Sequence, residues 1–288
     1  MDASVRGCDA PDLRVRRSLL ALLAICFGLA TACSSRVKAI ENTSDAASSI
    51  DRGDIVDASM LDVAKISLVI DSGGSCPPEM VLVEGDYCPK VIQTCKKWLD
   101  EGRFHDYRCA EYMQPARCVS ERVKERFCVD REEYVAAGDA LPLAHQSWTT
   151  AGDVCKSDGK RLCLESEWQF ACEGPEMHPY PYGDGFHRDA TACNIDQMHL
   201  GKPNAGLTDL RAPTTAYPKC VSPFGVHDLS GNVEEWVTLD HGVAPQRSSM
   251  KGAWWLPGKN NCRAATLGHG EVFEGPQVGV RCCKDASK

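Results

Sequence analysis

Between Gly225 and Val237 the chain reads GVHDLSGNVEEWV, which sets Asp228 ahead of a Ser230-Gly231-Asn232 turn and Glu234 and Glu235 behind it. Carboxylates on both sides of a glycine turn suit two tasks. They cap the backbone and pair with a cation, or their hard oxygens gather around a metal ion. The other chemistry-bearing residues are the 17 cysteines. Setting aside Cys8, Cys26 and Cys33 leaves fourteen from Cys76 to Cys283, an even set at scattered spacings. In an exported chain such a set predicts a framework of up to seven disulfides. Thiolate metal binding is the rival, but the set contains no C-x-x-C pair. Cys282 and Cys283 are neighbours, so they should take different partners.

Other catalytic patterns are missing. The eight histidines show neither H-E-x-x-H nor 2-His-1-carboxylate spacing, and there is no G-x-S-x-G elbow. GDGFH and GHGEVFEG read as structural turns rather than phosphate cradles, and a bridged cysteine framework leaves few thiols for nucleophilic work.

The ends of the chain say where these residues act. Arg14, Arg16 and Arg17 precede an apolar run from Leu19 to Ala30, then small residues up to Cys33. That is the layout of an export signal over residues 1–32, and the run is short for a bilayer span. Ala30-Thr31-Ala32-Cys33 resembles a bacterial lipobox, which implies acylation of Cys33, a lipid anchor as the membrane contact, and, with Ser34 next, the outer membrane of the cell envelope. Asp2, Asp9 and Asp12 are unusual in a leader and suggest a translation start nearer Val15. Residues 33–75 lack aromatics and are rich in Ser, Asp and Ala, the composition of a flexible tether, although ISLVI (Ile66 to Ile70) could dock as a strand. Residues 76–288 are enough for one well-cored domain. With a net charge of -8 over 288 residues and no basic stripe interleaved with aromatics, nucleic acid is not an expected partner.

Within that domain, Glu79 to Cys88 and Arg126 to Val135 read as strands, the latter from Phe127 and Val129 alternating with polar neighbours. SWTTAGDVCKSDGKRLC predicts a short helix capped by Thr149 or Thr150, running through Cys155 and stopped by Gly159. LESEWQFACEG predicts a second, capped by Ser166, with Trp168, Ala171 and Cys172 on one face and Gly174 at its end. After Gly174 the composition turns to Pro, Gly, Asn and His, which predicts loops and short strands that need staples.

Several blocks then converge. GKRLCLESEWQFACEG, YPYGDG, CNIDQ, SPFGVHDLSGNVEEWV and MKGAWW, followed by CRAAT and VGVRCC, resemble in order and spacing the signature blocks of the formylglycine-generating enzyme family, also called sulfatase-modifying factors. The resemblance covers about Glu79 to Cys283. It implies a loop-rich α+β fold similar to C-type lectin domains, stapled by disulfides. It also implies bridges from Cys155 to Cys282 and from Cys172 to Cys262; Cys163 stands where the family usually has Pro, and its partner is open.

By the same resemblance, the turn of the opening stretch would bind calcium through the Asp228 side chain, the Gly231 and Val233 carbonyls and the Glu235 carboxylate. Asn194 and the Ile195 carbonyl, with Asp209 as a further contributor, match a second calcium position. Six to eight hard oxygens suit Ca²⁺, and a tight turn can aim carbonyls between two carboxylates. Glu234 departs from the family's usual Trp. Family oxidases hold copper with two cysteines in G-G-S-x-x-C-x-x-x-x-C; here Ala253 replaces the Ser and Leu256 the first Cys, leaving Cys262, which the disulfide framework already claims. Copper is therefore not expected. The expectation is a binding or structural module for a protein or glycan ligand, with Trp254 and Trp255, together with Trp148, Tyr180 and Tyr182, as a possible groove. An oxidase of the same family is the alternative.

Overall fold

The computed structural model of the chain describes residues 74–100, 108–197 and 207–288. The predicted leader, Cys33, the tether to residue 73 and the ISLVI run lie outside the described residues. What is described is α+β: two short helices, eleven strands and long loops, cross-linked by seven disulfides.

Strands β1 (Met80–Tyr87) and β6 (Val123–Asp130) run antiparallel in continuous register, with Val81 opposite Val129 and Val83 opposite Phe127. All four side chains are buried in one cluster with Trp168 and Phe170. A one-residue slip would turn this face outward, which is what fixes the register. β11 (Cys282–Asp285) pairs with the other edge of β6 and β7 (Arg161–Leu162) completes the order β1-β6-β11-β7. β6 stops at Asp130 rather than reaching Val135. There the Asp130 carboxylate accepts Lys160 Nζ at 2.7 Å and Cys282 N at 3.1 Å.

Helix α1 (Trp148–Ser157) is capped by Ser147, not by Thr149 or Thr150: Ser147 Oγ accepts Thr150 N at 3.2 Å and Thr150 Oγ1 accepts Ser147 N at 2.9 Å. The reciprocal pair satisfies two otherwise free N–H groups. Gly159 follows the helix at a φ of 65°. α2 (Glu165–Glu173) begins at Leu164, whose N–H donates to Glu167 Oε2 at 2.8 Å. Ser166 does not cap it; Asp240 of a later strand does, accepting Ser166 N at 3.0 Å. Trp168, Ala171 and Cys172 face the core as the spacing predicts, but Phe170 and Glu173 are buried too, so the helix is enclosed.

The described residues after Gly174 are mostly loops and short strands, as expected, with one exception. That exception is the longest strand, β8 (Glu234–Val243), which forms a hairpin with β9 (Gln246–Lys251) and pairs in parallel with β10 (Val278–Gly279). Glu234 to Val237 are buried on both faces, so no alternation marks the strand. Two small ladders, β2 (Val91–Ile92) with β5 (Arg117–Cys118) and β3 (Cys95–Trp98) with β4 (Cys109–Tyr112), form a separate stapled region.

The disulfides join Cys155 to Cys282, Cys163 to Cys283 and Cys172 to Cys262 across 127, 120 and 90 residues. Cys282 and Cys283 take different partners because successive side chains on β11 point to opposite faces. Cys76–Cys128, Cys88–Cys118, Cys95–Cys109 and Cys193–Cys220 complete the set.

Candidate functional site

α2, β8 and the residue before β11 bring Trp168, Glu235 and Arg281 together in the interior. Arg281 Nε lies 2.9 Å from both Glu235 oxygens and Nη2 lies 2.8 Å from Oε1, while Trp168 Nε1 donates to Oε2 at 2.5 Å. The other guanidinium protons go to the carbonyls of Asp130 and His227 at 2.8 and 2.7 Å. Glu235 is thus the counter-ion of a fully buried arginine, the cation-pairing task that the sequence left open beside metal binding.

Asp228 occupies the start of the turn at a φ of 57°. It is buried, and its Oδ2 has no hydrogen-bond partner among the described residues. Burial raises its carboxyl to about 8, with Arg281 pulling down and Glu132 and Glu235 pushing up. Glu133, which the sequence reading did not single out, faces the same turn. Its Oε1 accepts Val233 N at 3.2 Å and its Oε2 accepts Asn232 Nδ2. Full burial, and then Asp228 and Glu235, hold the Glu133 carboxyl well above the usual range. Glu132, its neighbour in the chain, has a buried Oε2 without a hydrogen-bond partner among the described residues.

The turn is pressed against the second predicted position. Gly231 has a φ of 85°, and a Cβ there would lie 2.3 Å from Asn194 O and 2.4 Å from Ile195 Cγ2. Only glycine fits. Asn232 N donates to Asn194 O at 3.0 Å, and Asn232 Oδ1 accepts Asn194 Nδ2 at 2.9 Å and Ala212 N at 2.8 Å. Asn232 is therefore the hub of the turn. Asn194 Nδ2 donates to Leu210 O at 2.8 Å, while the Asp209 carboxylate beside it accepts from Arg211 at 2.8 and 3.0 Å.

Among the described residues, no three His, Cys, Asp or Glu side chains converge as a ready metal cluster. A cation at this turn would depend on backbone carbonyls as well. The donor types around Asp228 are compatible with calcium: an orphaned buried carboxylate oxygen, the Gly231 and Val233 carbonyls, and several buried carboxyls facing one guanidinium. Unneutralised buried carboxylates are costly, and a hard divalent ion offsets that cost. Near Asn194, the Asp209 carboxylate is engaged by Arg211. Copper fits less well. Ala253 and Leu256 offer no thiol, Cys262 is bonded to Cys172, and all cysteines from Cys76 onward are bridged.

The five aromatics do not share one groove. Trp254 and Trp255 have ring centroids 5.2 Å apart, but Trp255 and Tyr180 are buried, while Trp148 and Tyr182 line cavities elsewhere. Trp254 lines a cavity of about 370 Å³ together with Glu234, Ala253, Lys259 and Thr266. A larger one, about 830 Å³, lies between α2 and the β8–β9 hairpin, lined by Glu165, Gln169, Asp240 and Arg263 among others.

Comparison with known proteins follows the same blocks. Residues 91–286 match the sulfatase-modifying factor enzyme 1-like domain. The chain is 32% identical over 157 residues to the inactive C-alpha-formylglycine-generating enzyme 2 of Mus musculus, covering 51% of this chain and 50% of that protein. It is 32% identical over 110 residues to the formylglycine-generating enzyme of Mus musculus, covering 35% of this chain and 29% of that protein. The chain spans at most about half the length of these relatives. The crystal structure of CarF aligns with a TM-score of 0.49 at 15% identity, over 73% of this chain and 99% of that one. With the GNV turn, the enclosed α2 helix and the match over residues 91–286, the chain belongs to the sulfatase-modifying factor enzyme 1-like, or formylglycine-generating enzyme, domain family.

Proposed function

We propose that this chain is an exported, lipid-anchored member of its family, acylated at Cys33 and held at the cell envelope, whose domain is a calcium-stabilised binding module rather than an oxidase. The observation that carries this reading is the state of the copper-ligand segment: Leu256 stands where the first ligand cysteine would be, and the neighbouring Cys262 is buried and bonded to Cys172. Copper(I) needs soft thiolates, and no free one remains among the described residues. The relative named as inactive points the same way.

Asp228, Gly231, Val233 and Glu235 would hold calcium at the turn, and the ion would supply charge neutralisation and rigidity. Glu133 and Asn232 position that turn through the Val233 N–H and the Asn194 contacts. Arg281 pairs with Glu235 from the other side. An unidentified protein or glycan is the ligand, and the Trp254 cavity is where it would seat. The family oxidase is the second reading, favoured by the matches to formylglycine-generating enzymes; it requires Cys172–Cys262 to open as a redox pair.

The test is metal analysis of the full chain purified from an oxidising compartment, with a thiol count and melting with and without a calcium chelator. Stoichiometric calcium, no thiol among the domain cysteines and a lower melting midpoint on chelation are expected. Bound copper with two titratable thiols would transfer the assignment to the oxidase.

A further inference from the structure

The Trp254 cavity contains a group that neither the fold nor the calcium turn uses. Glu234 is the first residue of β8 and only 6% exposed, yet it lines the cavity. Its Oε1 accepts Thr266 Oγ1 at 2.7 Å. No lysine or arginine among the described residues forms an ion pair with it, in contrast to its neighbour Glu235, which Arg281 neutralises. A buried carboxyl with one hydroxyl donor and open space beside it is a charge without a counter-ion.

The walls narrow the choice of counter-ion. Trp254 is half-buried and lines the cavity, and Met250, Ala253, Ala264 and Ala265 are its other apolar members. An aromatic wall beside a desolvated carboxylate suits an organic cation, which gains both the ion pair and the cation–π contact. About 370 Å³ lies at the small end of the roughly 300–1,000 Å³ usual for ligand pockets, room for one side chain rather than a folded element.

We propose that this cavity binds a single organic cation, a lysine- or arginine-type side chain presented by a partner, with Glu234 as its counter-ion and Trp254 as its aromatic wall. The inference rests on the binding-module reading and names the chemistry of its ligand. Lys259 also lines the cavity and is exposed, so its positive charge weakens the attraction for any cation.

The experiment is calorimetric titration of the full chain at pH 8 with Nα-acetyl-lysinamide, Nα-acetyl-argininamide and the neutral Nα-acetyl-norleucinamide. The cationic probes should bind at least tenfold tighter than the neutral one. Glu234→Gln should abolish that preference while leaving the calcium-dependent melting shift in place, and Lys259→Ala should strengthen cation binding several-fold. If Glu234→Gln fails to fold, Trp254→Ala provides the second variant, with a loss of several-fold in cation affinity. Equal binding of the norleucine probe, no saturable binding of either cation, or a preference that survives Glu234→Gln overturns the proposal. Such a failure with calcium binding intact removes the cation pocket alone, whereas bound copper and free thiols remove the module reading beneath it.

Discussion

The two halves of this domain are held together by different means. Around the GNV turn, long strands and an enclosed helix bury Trp168, Trp236 and Trp255 with Arg281 and Glu235, so order comes from packing and a buried hydrogen-bond network. Between Cys88 and Cys118 the ladders are two to four residues long, and Ile92, Trp98, Met113 and Val119 remain exposed. Such short ladders cannot bury enough apolar surface to stand alone. There Cys88–Cys118 and Cys95–Cys109 reinforce a smaller core, in which Tyr112 and Ala116 pack with Tyr180, Tyr182 and Phe186, and close loops with separations of 30 and 14 residues. Cross-links therefore carry a larger share of the order in the second region than in the first.

The sharpest way to break the first region is Arg281→Ala. It leaves Glu235 buried and uncompensated, and a loss of about 3–5 kcal/mol in the denaturant midpoint analysis is expected. An unchanged midpoint would show that Glu235 finds another cation. Replacing Cys95 and Cys109 by alanine should cost about 3 kcal/mol, the chain-entropy figure for a loop of about 15 residues. This loss should be local: amide exchange should rise around β3 and β4 while the strands of the GNV turn stay protected. Global unfolding instead would merge the two regions into one cooperative unit.

Lys251 tests the packed region by pH. Burial lowers its ammonium from the ordinary 10.5 to about 8, partly offset by Glu165 and Glu173, with Arg263 adding to the fall. Below pH 8 it is charged in both states and its burial cost is fully present. Between pH 8 and 10.5 the unfolded chain binds more protons, so stability rises with pH, with a slope of up to about 1.4 kcal/mol per unit. Lys251→Met should flatten that rise relative to the parent, a difference that cancels the tyrosines titrating above pH 10. The smallest effect is expected at Lys124, exposed and 2.8 Å from Asp86. Lys124→Ala should shift stability by less than about 1 kcal/mol, and a larger shift would mean that the β1–β6 edge is held electrostatically.

Sequence reading recovered the parts of this structure that local pattern encodes. The alternation of Phe127 and Val129 gave the β1–β6 face, and Gly159 and Gly174 ended the helices. It misplaced both helix caps for different reasons. Ser147 lies two to three residues ahead of the threonines that suggested a cap, and its partner Thr150 is not the Glu or Gln usual at that position. The cap on Ser166 is Asp240, 74 residues away, which no local window contains. β8 was hidden because both its faces are buried at the start, and because Gly242 and Pro245 at its turn look like loop punctuation. At the candidate site, Asp228 and Glu235 were legible from the turn, but Glu133 was not. Its role depends on a hydrogen bond to Val233 across 100 residues. Chain order carries no mark of such a contact.

The domain's entry and exit meet at one point. Cys76 is bonded to Cys128 in β6, Ser287 N donates to Ser75 O at 3.0 Å, and Arg126 holds both Ser75 Oγ and Ser287 O at 2.8 Å. Mechanically this is a clamp: tension arriving along the chain ahead of Cys76 enters β6 directly, the strand flanked by β1 and β11. The load is shared in shear across two ladders, so the domain can be tugged from its N-terminal side without its edge strand peeling away first.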